Sequence, residues 1–99
     1  MPLSDFAFIV FNSDYSSEST AIIQSDSLKT RIVGVDSLER AEAAALELVE
    51  DGVQLIELCG WFGPKGAARI IGAVGDRIPV GFVGHGPDSI KTMYELFSS

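Results

Sequence analysis

The sequence predicts an α/β domain in which four parallel strands alternate with helices, and three observations carry that prediction. Four short apolar runs are nearly continuous rather than alternating, the pattern of strands covered on both faces. A long intervening segment repeats its apolar residues at three- and four-residue spacing, as a helix with one buried side does. Glycine and proline fall at the joints, where helices start and stop. The 99 residues, 46% of them apolar, make one domain spanning 1–99 with an ordinary core.

The first strand is Phe6–Phe11, built of Phe, Ile, Val and Ala. The Ser- and Asp-rich stretch Asn12–Thr30 follows, with Ala21–Ile23 as its apolar nucleus. A structureless connection of that length is uncommon, so a short helix over Ser17–Gln24 is expected. Arg31–Val35 is the second strand. Ser37–Asp51 is then a helix, because Leu38, Ala41, Ala45, Leu48 and Val49 form one stripe. Asp36 and Glu39 have the spacing of a capping box, and Gly52 suits the left-handed position that closes a helix. The third strand is Leu55–Cys59. A second helix begins near Pro64, presents Ala67, Ile70, Ile71 and Val74, and ends at Gly75. Val80–Val83 is the fourth strand, and Pro87–Phe97 a last helix with Ile90, Met93, Tyr94 and Phe97 on one side.

The order is (βα)4, for which right-handed crossovers and a parallel sheet are the rule. Strand order 2-1-3-4 puts the two middle helices on one face and the first and last on the other, as in a shortened flavodoxin-like domain. The alternative is a sheet that curves like half of a β/α barrel and completes itself by dimerising.

Seven basic residues against 14 acidic ones give a net charge of −7, which repels phosphate backbones and anionic membranes. Neither nucleic acid nor a membrane is an expected partner. No basic leader precedes an apolar stretch, and Phe6–Phe11 is far too short to span a bilayer. A single cysteine, Cys59, excludes an intramolecular disulfide and fits a reducing cytoplasm. With one histidine and scattered carboxylates, no metal-ligand spacing arises, and no metal or other cofactor is expected. Neither G-x-x-x-x-G-K-[ST] nor G-x-G-x-x-G occurs, so nucleoside triphosphate and dinucleotide binding have no motif behind them. A receiver domain is disfavoured because Cys59 ends the third strand where such domains carry a phosphorylatable aspartate.

In an open parallel sheet ligands bind beyond the carboxyl ends of the strands, where neighbouring connections diverge. Here that crevice lies between the first and third strands. Its walls are Asn12, Ser13 and Asp14, then Cys59, Gly60, Trp61, Phe62 and Gly63, with Gly84, His85 and Gly86 beside them. Asn12, Cys59, Gly60, Trp61, Gly63, Lys65 and His85 are the candidate ligand contacts. Lys65 and Arg69 stand early in their helix, where positive charge opposes the dipole. A small anion on the Gly63–Gly66 amides would offset that, as would neighbouring acidic side chains, the more common arrangement. Trp61 and Phe62 suit a flat ligand, a protein partner or simple packing.

Glu57, Cys59 and His85 are the candidate catalytic groups. An imidazole beside a thiol favours the thiolate, although a lone cysteine is more often a small buried apolar group. Glu57 inside an apolar strand, if buried, needs a partner such as Arg69, Lys65 or Arg31, and a structural ion pair or an edge exposed to solvent is a commoner reason for one than catalysis.

The segment from Glu57 to Arg69, E-L-C-G-W-F-G-P-K-G-A-A-R, resembles a family of small uncharacterised bacterial proteins. They are marked by E-L-C-G-x-F-G, a glycine-containing helix start and a P-V-G strand, here Pro79-Val80-Gly81. The resemblance runs from the opening strand through Val83 and implies a shared α/β fold, with no activity to carry over.

Three functions follow as expectations: a small-ligand or regulatory binding module, a small enzyme using Cys59 or Glu57 with His85, or a structural or protein-interaction domain. A homodimer is expected in the first, because a short apolar fourth strand would leave an exposed sheet edge.

Overall fold

The computed structural model describes residues 2–98. Its strands are β1 (Asp5–Phe11), β2 (Thr20–Gln24), β3 (Lys29–Val35), β4 (Leu55–Leu58) and β5 (Val80–Phe82). The helices are α1 (Leu38–Glu50), α2 (Gly63–Val74) and α3 (Ile90–Ser98), the last preceded by a 3-10 turn at Pro87–Ser89. The sheet runs β2-β3-β1-β4-β5, parallel except for the antiparallel β2–β3 pair. The four anticipated strands thus stand side by side in the anticipated order, and an unanticipated fifth extends one edge.

That fifth strand replaces the helix expected over Ser17–Gln24. Thr20, Ile22 and Ile23 are β-branched and suit a pleated surface. The serines beyond them build a tight turn: Ser25 N–H donates to the Leu28 carbonyl (2.9 Å), while Ser25 Oγ accepts from the amides of Ser27 and Leu28 (3.3 and 3.1 Å). A two-residue loop, Asp26–Ser27, returns the chain as a hairpin. Gly34 of β3 lies under the Tyr15 ring, and a Cβ there would stand 2.7 Å from that ring and 2.8 Å from the Ser19 carbonyl oxygen.

α1 opens at Ser37, whose Oγ accepts from the Arg40 amide (3.1 Å). The capping residue is therefore Ser37 and not Asp36, and the box spacing to Glu39 is unused. α1 closes as foreseen on Gly52, at φ 93°. Gly52 N–H donates to the Val49 carbonyl and Val53 N–H to that of Leu48, which satisfies the last turn. α2 ends at Gly75, φ 67°, whose N–H reaches the Ile71 carbonyl (3.0 Å).

Both α1 and α2 pack on one face of the sheet. Ala41, Ala45 and Leu48 of α1 and Ala67, Ile70 and Val74 of α2 close over Ala7, Ile9, Ile56 and Leu58. Alanine at the contact lets the helix axes approach the strands, and the aliphatic side chains between them fill the layer. At one end Arg31 fastens three elements: its guanidinium grips Asp5 through two hydrogen bonds of 3.1 and 2.7 Å and reaches Asp51 after α1 at 3.5 Å. The Asp5 hydrogen bond is the main reason the guanidinium's pKa rises further above its ordinary value.

Among the described residues the other face carries no helix, contrary to the expectation of cover on both sides. β2 supplies a strand where the first covering helix was expected. α3 packs on the 3-10 turn that begins it and makes no comparable contact with any strand.

Truncating Leu48, 6% exposed beneath α1, should cost about 2–5 kcal/mol in denaturant melts. Leu46→Ala, on the same helix at 40% exposure, should cost less than about 1 kcal/mol. Equal losses would mean that the buried stripe of α1 lies elsewhere. Gly34→Ala should destabilise by about 1–3 kcal/mol, because the Ser19 carbonyl is backbone and cannot rotate away. Amide exchange across β2 should quicken with it; an unchanged rate would show that the close approach is not what fastens β2.

Candidate functional site

The connections after β1 and β4 diverge to opposite sides, and the segments that follow them meet at the carboxyl ends of those strands. Cys59 joins the two. Its N–H donates to the Ile9 carbonyl (3.1 Å), and its Sγ accepts from the Phe11 amide (3.4 Å). The half-buried thiol is thus tied to β1, and no hydrogen bond links it to His85 among the described residues.

A turn follows, closed by the Phe62 amide on the Cys59 carbonyl (3.2 Å), with Gly60 and Trp61 at its corner. Trp61 lies flat on Phe11, ring centroids 3.6 Å apart and planes within 4°. Its edge meets Phe62 at 5.1 Å and 81°. Phe62 is 5% exposed and belongs to the core, whereas Trp61 is 47% exposed. Of the two aromatics singled out, one is packing and one presents a surface. The His85 ring sits against Gly60, its Cε1 2.9 Å from where a Cβ would stand. Glycine at 60 is what lets the imidazole approach.

Asn12 spends its side-chain oxygen locally, accepting the Asp14 amide (2.9 Å), while its carbonyl accepts that of Tyr15 (3.0 Å). This is turn chemistry at the end of β1. α2 starts at Gly63, φ 59°, with Phe62 as a cap that offers no side-chain hydrogen bond. Lys65 in that first turn is exposed and makes no ion pair among the described residues. Arg69, one turn on, is engaged by α1, at 2.8 Å from Glu42 and 3.4 Å from Glu39. The Glu42 hydrogen bond is the leading cause of its raised pKa. The two basic residues therefore part company: acidic neighbours balance Arg69, and nothing described balances Lys65.

Glu57 has none of the partners expected for it. Arg31 is held by Asp5 and Asp51, Arg69 by Glu39 and Glu42. Its half-buried carboxylate lies instead across Gly81 of β5, 2.6 Å from the position of a Cβ, on the sheet face away from the helices. No hydrogen bond or ion pair reaches it among the described residues.

A groove of about 490 Å³ runs between α1 and the β2–β3 edge, lined by Tyr15, Thr20, Val33, Arg40 and Glu47 among others. Sequence reasoning misses it, because one wall is β2, where the sequence predicts a helix. A smaller hollow of about 310 Å³ lies between His85 and α3, over Asp88, Thr92 and Met93. Among the described residues no three His, Cys, Asp or Glu side chains gather as a metal site. No helix among them is long and apolar enough to cross a membrane.

No curated protein and no solved structure matches the chain. One family model does, over residues 4–98, and by that match the chain belongs to the family of unknown function DUF6506.

Proposed function

We propose that the chain is a small-ligand or regulatory binding module, working as a homodimer, and that it takes a flat, anionic molecule on the shelf made by Trp61. The observation that carries this reading is the Trp61 ring, stacked on Phe11 from below and half-exposed above. A ring already held on one face loses little freedom when a second flat group covers the other. Its location also supports a binding role, since the carboxyl ends of parallel strands at diverging connections are where such sheets bind ligands.

Lys65 supplies the charge. A lysine in the first turn of a helix opposes the dipole by roughly 0.3–1 kcal/mol, and a bound anion would reverse the sign of that term. The amides of Gly63–Gly66 would share the anion. His85, which packs on Gly60, and the hydrophilic turn at Asn12, which follows Phe11, would supply further polar contacts.

Trp61 is the sole tryptophan, so its fluorescence reports on the shelf directly. A nucleoside monophosphate, flat and anionic, should shift that emission in a saturable titration. Trp61→Phe should be assayed by melting temperature and should weaken the stabilisation, while Trp61→Ala should abolish most of it, since an aromatic pair contributes roughly 0.5–1.5 kcal/mol beyond burial. Emission unmoved up to millimolar probe, with no melting shift, would overturn the stacking reading for this chemistry.

Inorganic phosphate should raise the melting temperature by linkage. Lys65→Ala should blunt that rise relative to chloride at matched ionic strength, the control needed because excluded anions stabilise proteins generally. Identical responses from wild type and Lys65→Ala would remove Lys65 from the site.

A further inference from the structure

The sheet face opposite α1 and α2 is apolar and bare. The strand registers define two rows across it: Ile23, Thr30, Phe6 and Leu55, then Ala21, Ile32, Phe8 and Glu57. A sheet that is mostly parallel normally has helices on both faces, and here the second layer is missing.

α3 has the reverse deficiency. Ile90, Tyr94 and Phe97 share one side of it, and all three stand in solvent at 56%, 73% and 76% exposure. Met93 borders that side and, with Leu96, faces His85 and Asp88 near the 3-10 turn. The helix is held away from the body of its own chain. The radius of gyration is 14.0 Å and the long axis 40 Å against 26 and 25 Å, whereas a compact chain of this length has a radius of about 12.6 Å.

We propose that two copies of the chain exchange α3, each laying its Ile90–Tyr94–Phe97 stripe on the bare sheet face of the other. Area supports a second copy as the occupant. Two copies each of Tyr94 and Phe97, at roughly 150–250 Å² per side chain, withdraw about 600–1,000 Å² from water. The sheet faces they cover add a comparable amount, which reaches the ~1,200–2,000 Å² of a stable interface. Charge supports it as well. Docking α3 would bury the Glu57 carboxylate, which has no partner among the described residues, and a buried charge requires one. Lys91 flanks the apolar stripe of α3 on the helical wheel and brings the opposite charge to that face. The arrangement is isologous, so both pairs form twice. It rests on the homodimeric half of the function proposed above and is independent of the ligand half.

The test is sedimentation of the full chain at about 20 μM, a concentration at which interfaces of micromolar affinity are populated. Wild type should sediment as a dimer. Phe97→Glu, a change at an exposed position of the single chain, should give a folded monomer by circular dichroism. Glu57→Lys and Lys91→Glu should each raise the dissociation constant at least about tenfold, by setting like charges against each other. Mixing those two variants should restore the dimer, because each face then meets a helix of opposite charge. A wild-type monomer would overturn both the exchange and the homodimer. A wild-type dimer indifferent to Phe97→Glu and to the charge variants would overturn the exchange and leave a homodimer through another surface. If mixing fails while the doubly substituted chain regains thermal stability as a monomer, α3 belongs on its own sheet and the exchange is overturned.

Discussion

Burial of one sheet face beneath α1 and α2 is the interaction on which the remaining structure depends. β1 sits at the middle of the sheet, paired in parallel with β3 and β4. Its Ala7 and Ile9 are fully buried against the helices. Each parallel pairing requires a crossover, and successive right-handed crossovers that advance in the same direction fall on the same side. α1 carries the chain from β3 over β1 to β4, and α2 from β4 to β5, so both must lie together. The remaining crossover, from β1 to β3, holds the edge strand β2 and brings no helix to the opposite face.

That constraint explains why polar groups are distributed as they are. Arg31 points into the helix-covered side, and there it finds Asp5 and Asp51 in a geometry that leaves its charge answered. Arg69 does the same between α1 and α2. Pairs as accessible as the second contribute little to stability, but they fix which cations are spoken for. Glu57, on the bare side, and Lys65, at the uncapped start of α2, make no ion pair among the described residues. Both lie outside the helix-covered layer, where contacts with other molecules are open to them.

Much of this architecture was legible in the sequence, for reasons that differ by element. α1 was legible because Leu38, Ala41, Ala45 and Leu48 keep helical spacing and Gly52 marks the close, local signals that packing reinforces. β1, β3, β4 and β5 were legible as nearly continuous apolar runs. β2 was not: three apolar residues among serines fit a short helix or a strand equally, and only the pairing with β3, a tertiary fact, decides. The cover of the second face was illegible for the same reason. The amphipathic spacing of Pro87–Phe97 shows that the helix has an apolar side; it carries no information about which surface, in which copy, that side meets. At the carboxyl ends, the gathering of Cys59, Trp61 and His85 followed from strand order alone. The stacking of Trp61 on Phe11 did not, because ring orientation depends on the turn at Cys59–Phe62. Nor did the separation of Lys65 from Arg69, which required the position of Glu42 on a neighbouring helix.

The two open surfaces differ in kind, and that difference bears on how the molecule works. The Trp61 shelf is rigid: its ring is stacked, its turn is tied to β1 through both backbone and thiol, and its neighbour Phe62 is anchored in the core. Such a surface recognises by shape and charge without rearranging. The bare sheet face and α3 are joined by an exposed connection, Val83–Gly86, in which Gly84 and Gly86 have open space where a Cβ would stand. His85 lies on that connection and touches both regions, packing on Gly60 beside the shelf and lining the hollow under α3. Any displacement of α3 must move through this residue or leave it behind. His85, set between two glycines, is therefore the described residue that the shelf and the hollow under α3 have in common.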